Sequence, residues 1–191
     1  IVAFAKTVDV ITFEFENVPS ATVEAASEFV SVHPRGDILH TTQNRLREKT
    51  FLSASGIPVA QFKHIKLIDD LYAAMDTFHF PCVLKTAGFG YDGKGQTKIL
   101  SPNEIVSAFD SLGSHEGVLE AFVDFEKEVS VVCSRDERGN FAHYGVIENA
   151  HRNHILDISI APATVSESVR RDAEEIARGV LKALDVVGVL C

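Results

Sequence analysis

Three features of the sequence predict an α/β (α+β) fold. Residues 8 to 32 read strand, helix, strand, the unit of a parallel sheet. Residues 61 to 112 alternate short strands with helical stripes. From Val118 onward antiparallel hairpins take over, followed by a long amphipathic helix.

Val8 to Phe15 is predicted as a buried strand, with Glu14 and Glu16 on one face and Phe13 and Phe15 on the other. The two carboxylates form a solvated face, or need partners if the strand is covered on both sides as parallel strands usually are. Asn17-Val18-Pro19-Ser20 breaks this strand and opens a helix that ends near Phe29, and Val30 to Val32 forms the next strand. A second helix is expected from about Thr42 to Ala54, stopped by a left-handed Gly56 with Pro58 just beyond. A strand over Gln61 to Ile65 precedes a helix marked by Leu71, Ala74, Met75 and Phe78. Phe80 to Thr86 and Thr97 to Leu100 are strands on either side of a glycine-rich segment.

Ser101 can cap the next helix, Pro102 suits its first turn and Glu104 can complete a capping box. Ile105, Ala108, Phe109 and Leu112 form its buried stripe, and Gly113 ends it. Val129, Val131 and Cys133 then alternate with Ser130, Val132 and Ser134 along one strand; Asp136 to Asn140 turns, and Phe141 to Ile147 returns. Ile155 to Ile160 is a further strand. Val169, Ala173, Ile176, Val180 and Leu184 mark the long helix, which leads into a last strand over Val186 to Cys191. Ile1 lies inside an apolar run and the last strand stops abruptly, so a fragment of a longer protein is expected.

The 191 residues carry 46% hydrophobic and 24% charged side chains, the balance of an ordinary soluble domain. A net charge of -9 argues against a general nucleic-acid binder, which needs a basic face, while leaving room for a local basic pocket. No run is long enough to span a membrane, and no signal peptide is expected. Cys82, Cys133 and Cys191 are few, odd in number and widely spaced, which fits neither a disulfide framework nor a zinc site and points to a reduced, cytoplasmic setting.

The most informative segment is Val83-Leu84-Lys85 followed by Gly90-Tyr91-Asp92-Gly93-Lys94-Gly95-Gln96. Glycines let backbone N–H groups approach phosphate oxygens closely, and Lys85 and Lys94 add positive charge. Gly88, Gly90 and Gly93 match the spacing of a dinucleotide fingerprint, but that motif needs a helix directly after the loop, and here a strand follows. A Walker loop needs Ser or Thr after its lysine, whereas Lys94 precedes Gly95; no kinase catalytic motif is present. A plain flexible hairpin tip is the remaining structural alternative.

Lys85, the GYDGKGQ loop at 90–96, LEAFVDFEKEVSV at 119–131 and ENAHRNHIL at 148–156 resemble the N5-carboxyaminoimidazole ribonucleotide synthetase family of ATP-grasp ligases. So do FEFENVP at 13–19 and NRLREKTFLSASGIPVA at 44–60. The resemblance covers nearly the whole chain, and the loop with Tyr-Asp is its most specific piece. It implies an ATP-grasp fold preceded by the end of a Rossmann-like pre-ATP-grasp domain. Residues 1–40 would belong to the latter and 41–191 to a truncated ATP-grasp domain, with a small lobe over about 58–119 and the start of a large lobe over about 120–191.

The resemblance also implies roles. Arg45 and Lys85 match the family's phosphate-side cations, and Gly90, Tyr91, Asp92, Gly93, Lys94, Gly95 and Gln96 match the loop that closes over the triphosphate. Glu120, Ala121, Phe122 and Val123 match the hinge that meets the adenine amine, Glu128 the residue holding the ribose hydroxyls, and His151 a further ATP contact. Tyr91 and Lys85 are the implied catalytic positions, and Tyr91 and Glu16 the implied contacts to the aminoimidazole nucleotide. The implied substrates are ATP, bicarbonate and aminoimidazole ribonucleotide, with Mg2+ on the phosphates and a homodimer at full length. The family's metal carboxylates match nothing in this sequence, so no metal ligand and no turnover by the 191 residues alone are expected. Read from the residues only, Glu120 is as well explained by a strand-end surface position, Glu128 by a solvated strand face and Arg45 by a surface charge. His151 and His154 lack the partners of a zinc site. Two other functions stay open: a different ATP-grasp ligase, and a nucleotide-binding module without ligase chemistry.

Overall fold

The structure, a computed structural model, describes residues 1–88, 95–113 and 116–191. The chain forms two compact units. One comprises Ile1–Gln43, Lys127–Ala150 and Asp157–Cys191, the other Asn44–Glu126 and His151–Leu156.

The first unit begins with α1 (Val2–Ala5), β1 (Val10–Ile11), α2 (Ser20–Ser27), β2 (Ser31–Val32) and α3 (Gly36–Thr42). β1 and β2 pair in parallel, Val10 opposite Ser31, as the strand–helix–strand pattern predicts. Ala5, Val23, Ala26, Val32 and Leu39 form their core. The first strand is far shorter than expected. Pairing ends at Ile11, and Glu14, Phe15 and Glu16 are exposed in irregular chain, so the alternation there is that of a loop. The chain is held there by Gln43, whose amide donates to the backbone carbonyls of Glu16 and Val18.

The second unit opens with α4 (Arg45–Ala54). α3, which ends at Thr42, is a helix that the sequence reading does not give; the helix expected from about Thr42 is α4, which starts at Arg45 because Asn44 accepts hydrogen bonds from Leu46 and Arg47 at 3.0 Å each. This side chain satisfies two of the donors that a helix start leaves open. Gly56, at φ 73°, ends the turn after the helix as predicted. Next come β3 (Phe62–Ile65), α5 (Ile68–Ala74), β4 (Cys82–Thr86), β5 (Gln96–Ile99), a 3-10 turn over Pro102–Glu104, α6 (Ile105–Ser111) and β6 (Gly117–Ala121). The strands form one antiparallel sheet in the order β3-β6-β4-β5. The start of α6 departs from the capping box. The Ser101 side chain makes no cap, and Glu104 accepts from the Leu100 N–H at 2.8 Å.

Strand alternation gives this sheet two unlike faces. Ile65, Cys82, Leu84, Ile99 and Leu119 pack with Leu71 of α5 and Ile105 of α6 in a core whose members are essentially sealed from solvent. The cross-strand partners on the opposite face include Val83, Lys98 and Glu120 in one row, and Lys85, Gln96 and Val118 in the next.

The chain re-enters the first unit with β7 (Glu128–Ser130), β8 (Cys133–Arg135), β9 (Phe141–His143) and β10 (Ile147–Arg152), followed by β11 (Ile155–Ile160), α7 (Glu167–Ala183) and β12 (Gly188–Leu190), the β10–β11 tip over His151–Leu156 counting with the second unit. The expected single strand over 129–134 is broken between Ser130 and Cys133. Its halves join different sheets, β11-β10-β7 and β12-β8-β9. Val131 stays buried at the break, with Cys133, Val146, Leu181 and Val186. Val169 and Ile176 of α7 remain substantially exposed, so only part of the helical stripe is covered. No helix among the described residues is long and apolar enough to cross a membrane. Cys82, Cys133 and Cys191 carry free thiols, and burial pushes those of Cys82 and Cys133 up.

Two local features carry predictions. The β10–β11 turn sets Asn153 and His154 at φ 53° and 65°, the left-handed pair of a two-residue hairpin. A histidine there is strained where glycine is not, so His154→Gly should raise stability by about 0.5–1 kcal/mol, read from the denaturation midpoint. In the first unit, Arg135 donates to Asp185 at 2.9 Å, and Arg35 pairs with both Asp185 and Asp37. The Arg135 and Arg35 guanidiniums hold the Asp185 carboxyl below its ordinary range. The stability from that depression is present above the unfolded-state value and is lost as pH falls through the lower folded value. Arg135→Met should move the Asp185 titration upward toward the ordinary range, as carboxyl NMR would report.

Candidate functional site

The polar face of the second unit's sheet brings together two of the ionisable side chains that the sequence singled out, Lys85 and Glu120. Lys85 projects from β4 and Glu120 from β6 on the same face, and Lys85 Nζ donates to Glu120 Oε2 at 3.0 Å. A third group joins them that the sequence reading missed. Lys49 of α4 places its Nζ 3.4 Å from Glu120 Oε1. Glu120 is only 7% exposed, a buried carboxylate set between two ammonium groups. This excludes the solvated strand-end explanation for Glu120, since a buried charge needs a partner. The signal for Lys49 was its i,i+4 spacing from Arg45, which places both on one face of α4.

Arg45 is pinned by backbone and side chain together. Its N–H donates to the Ala87 carbonyl at 2.8 Å, its Nη1 donates to the Thr86 carbonyl at 3.0 Å, and Asn44 bridges Gly88. The start of α4 is thereby stapled to the strand that runs into the glycine-rich segment. At the far side of that segment, Gly95 has φ 70°, and its carbonyl accepts from the Thr86 N–H at 2.7 Å. A Cβ at Gly95 would lie 2.6 Å from Thr86 Oγ1, so this position fits only glycine. Thr86 Oγ1 and Glu120 Oε1 are buried and have no hydrogen-bond partner among the described residues. Gly90, Tyr91, Asp92, Gly93 and Lys94 lie outside the described residues.

Beyond β6 the segment 122–126 leaves the ladder, and Ala121 N–H donates to the Gln61 carbonyl at 2.9 Å. Phe122, Val123 and Phe125 are exposed there, and Lys98 Nζ sits 3.6 Å from the Phe122 ring centroid. Gln96 Nε2 is 3.3 Å from His154 Nδ1 in the hairpin tip that also carries His151. Arg45, Lys85, Gly95, Gln96, Glu120, Ala121, Phe122, Val123 and His151 therefore fall in one unit. Glu128, opposite Asn149 at the start of β7, and Glu16, in the N-terminal loop, fall in the other. Among the described residues, His151 and His154 belong to no cluster of three or more metal-ligating side chains.

Half-buried cations on this sheet face and on α4, beside a glycine-rich segment, are suited to binding a polyanion. The model of the ATP-grasp domain matches residues 50–191, and that of the ribonucleotide synthetase preATP-grasp domain matches residues 1–43. The chain belongs to the ATP-grasp family. An ATP-grasp relative from Brucella melitensis, named N5-carboxyaminoimidazole ribonucleotide synthase, is 40% identical over 184 residues, covering 95% of this chain and 51% of the relative. The crystal structure of an ADP complex of an N5-carboxyaminoimidazole ribonucleotide synthetase superposes with a TM-score of 0.91 at 35% identity, over 98% of this chain and 50% of that one. The Aspergillus clavatus N5-carboxyaminoimidazole synthase, in complex with ADP and 5-aminoimidazole ribonucleotide, gives a TM-score of 0.87 at 26% identity, over 97% of this chain and 48% of that one. This ATP-grasp chain thus spans about half the length of these relatives.

Proposed function

We propose that this chain supplies the nucleotide-binding part of an ATP-dependent ligase that carboxylates 5-aminoimidazole ribonucleotide with bicarbonate. The products are N5-carboxyaminoimidazole ribonucleotide, ADP and phosphate, in purine biosynthesis. The observation that carries this reading is the placement of Lys85 on the strand that leads into the glycine-rich segment, with Arg45 of α4 bonded to the Thr86 carbonyl at the end of that strand. The relatives named for this reaction, one of them in complex with ADP and the aminoimidazole nucleotide, support the choice of substrate.

In this reading Lys85 and Arg45 take the phosphates, and the segment from Gly90 to Gln96 closes over them. Lys85 is anchored on a strand, so its backbone is fixed and only its flexible side chain turns when phosphate arrives. The hinge of Glu120, Ala121, Phe122 and Val123 receives adenine, the unpaired backbone beyond β6 offering its hydrogen-bonding groups to the base edge. Glu128 holds the ribose and His151 adds a further contact. Tyr91 and Glu16 are assigned to the aminoimidazole side.

The chemistry runs by transfer of the terminal phosphoryl group of ATP to bicarbonate, which gives carboxyphosphate and ADP. The exocyclic amine of the substrate then attacks the carboxyl carbon, or CO2 released from it, losing a proton as phosphate leaves. The chain's share is positioning, charge neutralisation and exclusion of water from a hydrolysable intermediate. Magnesium would neutralise phosphate charge. Among the described residues no group of three or more His, Cys, Asp or Glu is gathered to hold a metal.

The domain reading follows the same resemblance: residues 1–40 close a Rossmann-like domain, about 58–119 form the small ATP-grasp lobe and about 120–191 begin the large one. A cytoplasmic location and a full-length homodimer complete the proposal. The test is ADP release by a full-length protein carrying this segment. Release should require both bicarbonate and the aminoimidazole nucleotide. An equal rate without the amine would overturn the assignment.

A further inference from the structure

We infer that Lys49 is a positioning residue for nucleotide binding: it is the standby counter-ion that keeps Glu120 neutralised when Lys85 turns to phosphate. The inference rests on the nucleotide-site reading above and extends it to a residue with no role there.

Glu120 is 7% exposed, and its two oxygens face two different lysines. Oε2 accepts from Lys85 at 3.0 Å, while Oε1 lies 3.4 Å from Lys49 Nζ and has no hydrogen bond among the described residues. The carboxylate thus has one satisfied and one waiting acceptor. Lysine is a mobile point charge on a flexible stem, so Lys85 can rotate from Glu120 to a phosphate oxygen. If it did so alone, a buried anion would be left unpaired beside an arriving polyanion, and both terms oppose binding. Lys49 removes that obstacle. Its side chain is only 17% exposed, it is fixed on α4 one turn after Arg45, and a few tenths of an ångström bring it into full hydrogen-bond contact with Oε1.

Coupling to Glu120 is what separates this role from a merely structural one. MgATP binding to the chain would be measured by calorimetry for the wild type, Lys49→Met, Lys49→Arg, Glu120→Gln and the double variant Lys49→Met/Glu120→Gln. Lys49→Met should weaken binding about tenfold in the presence of Glu120 and less than twofold once Glu120 is neutral, and Lys49→Arg should stay within about threefold of wild type. Equal losses in the two backgrounds, or unchanged binding by a folded Lys49→Met, would overturn the role of Lys49 while leaving the nucleotide site intact. If Lys49→Met does not fold, Lys49→Arg against Glu120→Gln decides instead: a tenfold loss in Lys49→Arg despite its retained charge overturns the role. Absence of saturable MgATP binding by the wild type would overturn both readings.

Discussion

Lys85→Met should weaken MgATP binding by about 30-fold or more, the largest single loss expected from any substitution in this chain. Removing a charge-assisted hydrogen bond costs about 1.5–3 kcal/mol, and the lost Coulomb attraction to neighbouring phosphate oxygens adds to it. The substitution also takes the nearer partner from Glu120, which is bound at 3.0 Å. Some loss of thermal stability should therefore accompany the loss of affinity, limited by Lys49 at 3.4 Å. The two effects can be separated. Adding Glu120→Gln to Lys85→Met removes the stranded negative charge and should recover stability, while the phosphate contact stays absent. Calorimetry for affinity and the denaturation midpoint for stability give the two readings. MgATP affinity within threefold of wild type in Lys85→Met would refute the phosphate role.

Gly95→Ala should cost about 2 kcal/mol of stability and disturb the end of the glycine-rich segment. Two causes act together. A non-glycine residue at φ 70° carries a backbone penalty of roughly 1–2 kcal/mol. The new methyl also meets Thr86 Oγ1 at 2.6 Å and Cγ2 at 2.9 Å, on a β-branched side chain that is buried and stiff about χ1. Thr86→Ala in the same chain would delete both colliding atoms. The double variant should regain the steric part and keep the backbone part, a non-additivity of about 1 kcal/mol in a denaturation cycle. Simple addition of the two losses would show that this part of the chain can move aside.

Much of the second unit was legible in advance because its signals are local. The strands over 61–65, 80–86 and 97–100, the helical stripe Ile105–Ala108–Leu112 and the left-handed glycines at 56 and 113 lie within a residue or two of expectation. The failures have a common cause in pairing, which a single strand cannot announce. Phe13, Phe15, Glu14 and Glu16 alternate like a strand, yet no neighbour extends to meet them beyond Val32. Residues 129–134 likewise alternate without interruption, but two different partners, β10 and β12, claim the two halves. Asn44 shows the reverse. It looks like an interior helical residue, but its amide oxygen begins a new helix by accepting from Leu46 and Arg47.

The site divides along the same line. Lys85, Arg45 and Glu120 could be nominated by resemblance, but the sequence did not show that Glu120 is held by lysines from two elements 36 positions apart. That separation is bridged by α4 packing on β6, a tertiary event with no local mark beyond the four-residue interval from Arg45 to Lys49.

Leu84 and Lys85 are consecutive, yet one is sealed in hydrocarbon and the other is bonded to a carboxylate. Function and cohesion in this half of the molecule are thus separated by a single peptide unit. Inserting or deleting one residue within Cys82–Thr86 would drive an ammonium into the apolar layer and turn a leucine outward. Point replacements on the charged side leave the apolar layer intact, whereas frame-preserving indels in this short stretch should be close to lethal to cohesion and binding alike.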